Sequence, residues 1–158
     1  MIHRLITTAA VITGLALCSA HADPYAKGSK VEAFSAKTQH DKEFTFKPAD
    51  TQFLLVTHDM ETGKKANAVL TTVGPDNLTN KKVVYLANIH GMPGVGRMFA
   101  LPKMRKYSHT IILGDDAELI AKFPVEMNKV TVLKLSGGKI TSVKYWNPGA
   151  EDIQGYLK

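Results

Sequence analysis

Two histidines and an aspartate follow predicted strands of this sequence and are its best candidates for a chemical site. His58 and Asp59 come directly after the apolar run FLLVT, and His90 follows the run KVVYLANI. Both runs are typical of strands buried on both faces, and ligands collect at the carboxyl ends of such parallel strands. Imidazole and carboxylate groups bind zinc or copper. The pattern therefore predicts a zinc or copper site at His58, Asp59 and His90, although the spacing matches no ligand signature such as HExxH.

A broader ligand face is predicted around the same strand ends. Met60 and Glu61 continue the turn after the first strand, and Met92 lies two residues beyond His90. Asn128 precedes a predicted closing hairpin, which would bring it to the same edge of the sheet. Thioethers are soft and adaptable contact groups. Met60, Glu61, Met92 and Asn128 are therefore candidates for contacting a protein or a small ligand.

The cysteine content restricts the chemistry of the chain. Cys18 is the only cysteine, and it lies in a segment with a basic start, an apolar run and the small-residue pattern AHA. This pattern is typical of a secretory signal peptide, so residues 1–22 are predicted to be removed and the mature chain to be periplasmic. Lipid attachment at Cys18 is a second interpretation, which the bulky Leu17 disfavours. The mature chain would then have no disulfide and no thiolate, because it would have no cysteine. It is also predicted to have no transmembrane segment, because the apolar run of the signal is too short to span a bilayer.

The charge balance favours an anionic partner and excludes nucleic acid. Arg4 is the only charged residue among the first 22, so the mature chain would carry 19 basic and 14 acidic residues. This surplus is modest and diffuse, unlike a nucleic-acid footprint. The densest basic and apolar stretch, RMFALPKMRKY at 97–107, would suit a membrane surface or an acidic protein, but Pro102 interrupts the helix that such contact needs. Phe99 and Leu101 are predicted to be core residues instead.

Strands and helices alternate along the rest of the chain. Residues 23–51 are predicted to be an irregular lead-in with one short strand, EFTFK, and residues 52–158 to be one domain. Further strands are predicted at 110–113, 130–135 and 139–146, the last two joined by a Gly-Gly hairpin turn. Helices are predicted at 64–73, 95–101, 116–123 and 150–157. This order predicts an α/β fold with a central mixed sheet flanked by helices.

The order of elements resembles the thioredoxin-like fold, in the peroxiredoxin-type variant with an extra strand and helix before the final hairpin. The stretches FLLVTHDMETGKKANAVL, VVYLANIHGMPGVGRMF and TIILGDDAELIAKFPVEMNKVTVLKLSGGKITSV carry the likeness. The closest resemblance is to small periplasmic YtfJ-like proteins, which lack the redox cysteines. Residues 60–63 replace the Cys-x-x-C turn of the redox families, and Asn128-Lys129 replaces their cis-proline. Thiol–disulfide exchange needs a thiolate, so disulfide oxidoreductase and cysteine peroxidase activities are excluded.

Two functions follow from these observations. The sequence favours an exported, redox-inactive binding or adaptor module that is not an enzyme, with a ligand face around His58, Asp59, His90 and Asn128. The alternative is a metal-binding or metal-dependent periplasmic protein that uses His58, Asp59 and His90. A flavin would supply redox chemistry without cysteine, but the sequence contains no nucleotide-binding fingerprint.

Overall fold

The structure is a computed structural model that describes residues 23–158. The predicted signal peptide at 1–22, with Cys18, lies outside the described residues. The strands are β1 (Phe34–Thr38), β2 (Glu43–Phe46), β3 (Phe53–Thr57), β4 (Val83–Asn88), β5 (Ile112–Gly114), β6 (Val130–Ser136) and β7 (Lys139–Trp146). The helices are α1 (Met60–Val73), α2 (Pro75–Asn80), α3 (Gly94–Met104) and α4 (Ala117–Ala121), and 3-10 turns lie at Pro48–Asp50 and Ile153–Gly155.

The strands form one mixed sheet with the order β2-β1-β5-β4-β3-β6-β7. β3, β4 and β5 are parallel, whereas β6 pairs with β3 and β1 with β5 in the antiparallel sense. In this register Leu55 of β3 lies opposite Tyr85 of β4 and Val132 of β6. The carboxyl ends of β3 and β4 and the amino end of β6 therefore share one edge. The predicted α/β fold with a mixed sheet flanked by helices is confirmed.

Both faces of the sheet are covered, and each has its own core. Alternate residues of β3 point to opposite faces, so Leu55 contributes to one core and Leu54 to the other. Helices α1, α2 and α3 cover the first face, which we call the helix face. The chain before β1 and helix α4 cover the second. Within residues 23–158, no helix has the length and apolar character needed to cross a bilayer.

Helix α1 begins at Met60, four residues before the predicted start. The Asp59 side chain caps it by accepting a hydrogen bond from the Thr62 backbone N–H at 2.8 Å. Such an N-cap stabilises a helix because the first amides have no partner within the helix. The interpretation of residues 60–63 as a turn was therefore wrong, and these residues form the first turn of α1.

The lead-in contains a strand that the sequence analysis missed. β1 pairs with β2 and with β5, so residues 34–46 extend the same sheet as the rest of the chain. Its residues alternate between exposed and half-buried positions until Thr38, which is buried. The strand FSAKT contains only one large apolar residue, Phe34, and that explains why its strand signal was weak.

Two further predicted helices differ from the structure. The predicted helix at 150–157 is only a 3-10 turn, because the Trp146 indole donates to the backbone carbonyl of Glu151 at 2.9 Å and holds the chain in another path. Helix α3 continues through Pro102 to Met104, because the Arg105 amide still donates to the Leu101 carbonyl at 3.0 Å. Pro102 removes one donor in the last turn but does not end the helix.

Candidate binding groove

His58 lies at the predicted strand end, but its ring turns toward β6. Its Nε2 is 3.2 Å from the Thr131 hydroxyl, which donates its own proton to the Pro124 carbonyl at 2.6 Å. The Thr131 oxygen therefore accepts a hydrogen bond from Nε2 of His58, which is the nitrogen that carries the proton of the neutral ring. Burial lowers the pKa of His58, so the neutral ring is favoured. His58 thus joins the β6 loop to the end of β3.

Asp59 and His90 form hydrogen bonds with different parts of the chain. Both carboxylate oxygens of Asp59 accept hydrogen bonds from Thr62, one from its amide and one from its hydroxyl at 2.7 Å. His90 is exposed, and its backbone N–H donates to the Asn88 side chain at 2.9 Å. The Arg97 guanidinium, with a smaller contribution from His90, holds the pKa of Asp115 below its usual range. The His90 backbone N–H also lies 3.1 Å from the Gly114 carbonyl, so His90 lies beside the end of β5, away from the β6 side to which His58 turns.

The predicted zinc or copper ligands accordingly do not converge. His58 faces β6, the Asp59 carboxylate caps α1, and His90 lies toward the loop after β5. Among the residues that the structure describes, no three His, Cys, Asp or Glu side chains are grouped so that they could hold a metal ion. A metal bound by these three residues stays a prediction, and no contact in the described chain favours it.

The four candidate ligand-face residues divide into two pairs. Met60 and Met92 line a groove between α1 and α3. Glu61 is exposed and lies 3.8 Å from the ammonium group of Lys64. Asn128 is exposed in the loop before β6, where it adopts a positive φ of 60°. Neither Glu61 nor Asn128 lines the groove.

The groove has a volume of about 330 Å³ and opens on the helix face of the sheet. Its walls are largely apolar, and three of the five methionines in residues 23–158 line it: Met60, Met92 and Met104. Ile89, Phe99 and Ala100 also contribute to the walls. A volume of this size falls at the lower end of the range of about 300–1,000 Å³ that is usual for small-molecule sites.

The floor of the groove is polar and connected to the sheet. The hydroxyl groups of Thr57 and Tyr85 lie 3.2 Å apart and form a buried hydrogen bond. Burial raises the pKa of Tyr85, so its phenol stays neutral. Gly63 leaves this floor open, since a Cβ there would approach the Thr57 hydroxyl to 3.8 Å and the Tyr85 hydroxyl to 3.9 Å. The floor therefore offers hydroxyl groups beneath an apolar channel.

Helix α3 forms one wall of the groove without burying any residue. Val95, Met98 and Phe99 are each about two-thirds exposed, at 66%, 66% and 65%. The prediction that Phe99 belongs to the core was therefore wrong, whereas Leu101 is half-buried and packs against the core. Exposed apolar side chains that form a contiguous patch often mark an interaction site.

Two arginines hold α3 in position at its two ends. Arg97 forms a bidentate ion pair with Asp115, at 2.5 and 2.6 Å, and also donates to the carbonyls of Met92 and Ile89. Arg105 donates to the Gln39 carbonyl at 2.9 Å and to the Asp41 carboxylate at 2.7 Å. The basic stretch at 97–107 thus uses two of its four cations in contacts within the chain.

A buried polar pair lies behind the groove. Asn67, which lines the groove from α1, accepts a hydrogen bond from Nε2 of His109 at 2.9 Å. Because the amide oxygen only accepts, Nε2 carries the proton and Nδ1 is unprotonated. Nδ1 has no hydrogen-bond partner within residues 23–158, and burial lowers the pKa of His109 to about 4. The ring also packs between Tyr85 and Tyr107.

Several residues of this site were not predicted from the sequence. Asn67, Tyr85 and His109 are polar groups within or beside strongly apolar elements, and all three are buried. A buried polar residue is a better signal of function than an exposed apolar one. This signal was visible in KVVYLANI, where the hydroxyl-bearing Tyr85 occurs within a run of small and aliphatic residues.

Solved structures with a similar fold include thiol–disulfide proteins and a peroxidoxin. The chain is similar to the thioredoxin domain of a thiol–disulfide oxidoreductase from Bacteroides vulgatus, with 13% identity, a TM-score of 0.54 and coverage of 85% of this chain and 99% of that one. It is similar to a peroxidoxin from Mycobacterium tuberculosis at 10% identity and a TM-score of 0.56, with 83% and 93% covered. A thio-disulfide isomerase from Thermus thermophilus gives 18% identity, a TM-score of 0.53 and coverage of 84% and 95%.

These likenesses define the class of fold. No protein-family model matches the sequence, and no curated protein matches it. At such low identity, structural similarity shows the fold alone. The predicted thioredoxin-like fold is confirmed, and residues 23–158 carry it without a cysteine.

Proposed function

We propose that this protein is a redox-inactive thioredoxin-like binding module of the periplasm and that the groove between α1 and α3 is its ligand site. The observation that carries the proposal is an apolar groove on a domain whose thiol chemistry is absent. By the resemblance to thioredoxin-like proteins, residues 60–63 at the start of α1 replace the redox turn, and they contain no thiol. The resemblance to YtfJ-like proteins and the predicted signal peptide support the periplasmic location.

The construction of the groove supports binding rather than catalysis. Among the described residues, Asp59 is the only acidic one that lines it, and both of its oxygens are already used to cap α1. His109, which is hydrogen-bonded to the lining residue Asn67, is itself buried. General acid–base catalysis most often uses a histidine or a carboxylate positioned at the substrate, and the described lining contains no histidine and no carboxylate other than that of Asp59. The three methionines of the walls can instead adapt their shape to a bound apolar group.

We expect the neutral fluorophore N-phenyl-1-naphthylamine to bind in the groove, and the Ala100→Trp variant to bind it about tenfold more weakly or worse. Ala100 is half-buried and lines the groove, so a bulky ring at this position would occupy the space of a ligand in a site of this size. The measurement is a fluorescence titration of the purified residues 23–158.

Ala68→Trp is the matched control, because Ala68 is exposed on α1 and does not line the groove. Circular dichroism would verify that both variants are folded. Equal affinities of Ala100→Trp, Ala68→Trp and the parent protein would contradict the assignment of the groove as the ligand site.

A further inference from the structure

We propose that the groove binds a small amphipathic anion, a molecule with one apolar chain or ring system and one carboxylate head group. The inference rests on the proposed function and specifies the chemistry of its ligand. Two features lead to it: the apolar channel described above, and a pair of cations that flank its opening.

The two cations come from opposite walls of the groove. Lys64 lies on α1 and Lys103 on α3, and both are exposed while they line the groove. Lys103 has no ion-pair partner among residues 23–158, and Lys64 has only an exposed partner, Glu61, at 3.8 Å. An exposed pair at that distance contributes little and exchanges readily with another anion. Both ammonium groups are therefore available to a ligand.

Positive charge exceeds negative charge in the lining of the groove. Among the described residues, Asp59 is the one acidic member of the lining, against Lys64 and Lys103, and its two oxygens accept hydrogen bonds from Thr62 at 2.8 and 2.7 Å. The carboxylate also faces the amino end of α1, where negative charge is stabilised. The opening of the groove thus favours an anion, and the modest basic surplus of the chain agrees with this preference.

The apolar part of the ligand would cover side chains that are now unusually exposed. Phe99 lines the groove and is 65% exposed, and Met60 lines it at 50% exposure. Covering such surfaces is favourable in proportion to the apolar area removed from water. A cavity of about 330 Å³ suits a small molecule rather than a protein segment with several side chains. An apolar body with an anionic end matches both the walls and the opening.

Three probes with the same alkyl chain would test the head group. Laurate, dodecanol and dodecylammonium are used to displace N-phenyl-1-naphthylamine from the protein, each at concentrations where it is dissolved as single molecules. We expect laurate to displace the fluorophore at a concentration about five- to tenfold lower than dodecanol, as two exposed ion pairs allow, and dodecylammonium to be the weakest. Equal potency of laurate and dodecylammonium would overturn the proposal.

Lysine variants would show whether the preference for an anionic head group depends on Lys64 and Lys103. In the double variant Lys64→Gln and Lys103→Gln, the potency ratio of laurate to dodecanol should fall to about one, because the attraction for the head group is lost. Lys106→Gln is the matched control, since Lys106 is exposed near the same helix and does not line the groove. It should keep the ratio of the parent protein.

The outcomes separate the two proposals. If the fluorophore binds but the laurate ratio survives the double variant, the anion proposal is wrong and the groove assignment stands. If the fluorophore binds equally well to Ala100→Trp and to the parent protein, the groove assignment itself is wrong.

Discussion

Acidification from pH 7 to pH 4 is expected to lower the free energy of unfolding by about 3 kcal/mol through His109. Burial holds the pKa of this ring at about 4, whereas an unfolded histidine titrates near 6.5. The ring is 2% exposed. A second proton would be bound at Nδ1, and no group among residues 23–158 accepts a hydrogen bond from that atom. Each unit of such a difference corresponds to about 1.4 kcal/mol, so the effect is large for a single domain.

The sign of this effect follows from the lowered pKa. The stabilising contribution is fully present above pH 6.5, where both states carry a neutral ring. Below pH 6.5 the unfolded chain binds a proton that the folded chain does not, so stability falls until the pH is below about 4, where both states are protonated. The lowered pKa of His58 acts in the same direction.

Urea unfolding from pH 4 to pH 8 would measure the effect, with His109→Gln as the comparison. Glutamine does not titrate and retains an amide that can bond to Asn67. The difference in unfolding free energy between the two proteins should change by about 3 kcal/mol between pH 7 and pH 4. Parallel curves for His109→Gln and the parent protein would show that the buried ring does not control acid stability.

Replacing Arg97 by methionine is expected to release the beginning of α3 and to abolish binding in the groove. Arg97 connects three segments, because it donates to Asp115 after β5 and to the Met92 and Ile89 carbonyls after β4. Since α3 has no fully buried residue and packs against the core only through the half-buried Leu101 and Met104, its apolar packing is limited. Loss of these charge-assisted hydrogen bonds should therefore move the wall that Phe99 and Ala100 contribute.

Amide hydrogen exchange would detect this release. Residues 94–104 should exchange at least about tenfold faster in Arg97→Met, while the amides of β3 and β6 keep their protection, since a local opening leaves the rest of the fold intact. Lys106→Met is the matched control, a cation without an ion-pair partner among the described residues. Unchanged exchange in α3 would refute the anchoring role of Arg97.

The central strands could be predicted because a short, continuous apolar run favours a buried strand over other secondary structures. FLLVT is buried at all five positions, and the Gly-Gly turn between β6 and β7 fixes the hairpin. The start of α1 was missed because Met60–Gly63 was interpreted as a counterpart of a redox turn. The local signal favoured a helix, since Asp59 followed three residues later by Thr62 is a good N-cap arrangement.

The candidate site could be predicted only as a region. His58, Asp59 and His90 do follow the strand ends, but the direction of each side chain depends on partners such as Thr131 and Thr62. The groove depends on contacts that are distant in sequence, because Arg97 and Asp115 are 18 residues apart and Arg105 and Asp41 are 64 apart. No local pattern indicates how far such ion pairs hold a helix from the sheet.

Methyl NMR of the methionines is the most direct test of the groove as the ligand site. Residues 23–158 contain five methionines, of which Met60, Met92 and Met104 line the groove, whereas Met98 and Met127 are exposed elsewhere. On saturation with N-phenyl-1-naphthylamine, we predict that the signals of Met60, Met92 and Met104 shift and that Met127 does not move. Shifts confined to Met98 and Met127, or no shift in any of the five signals, would contradict the account.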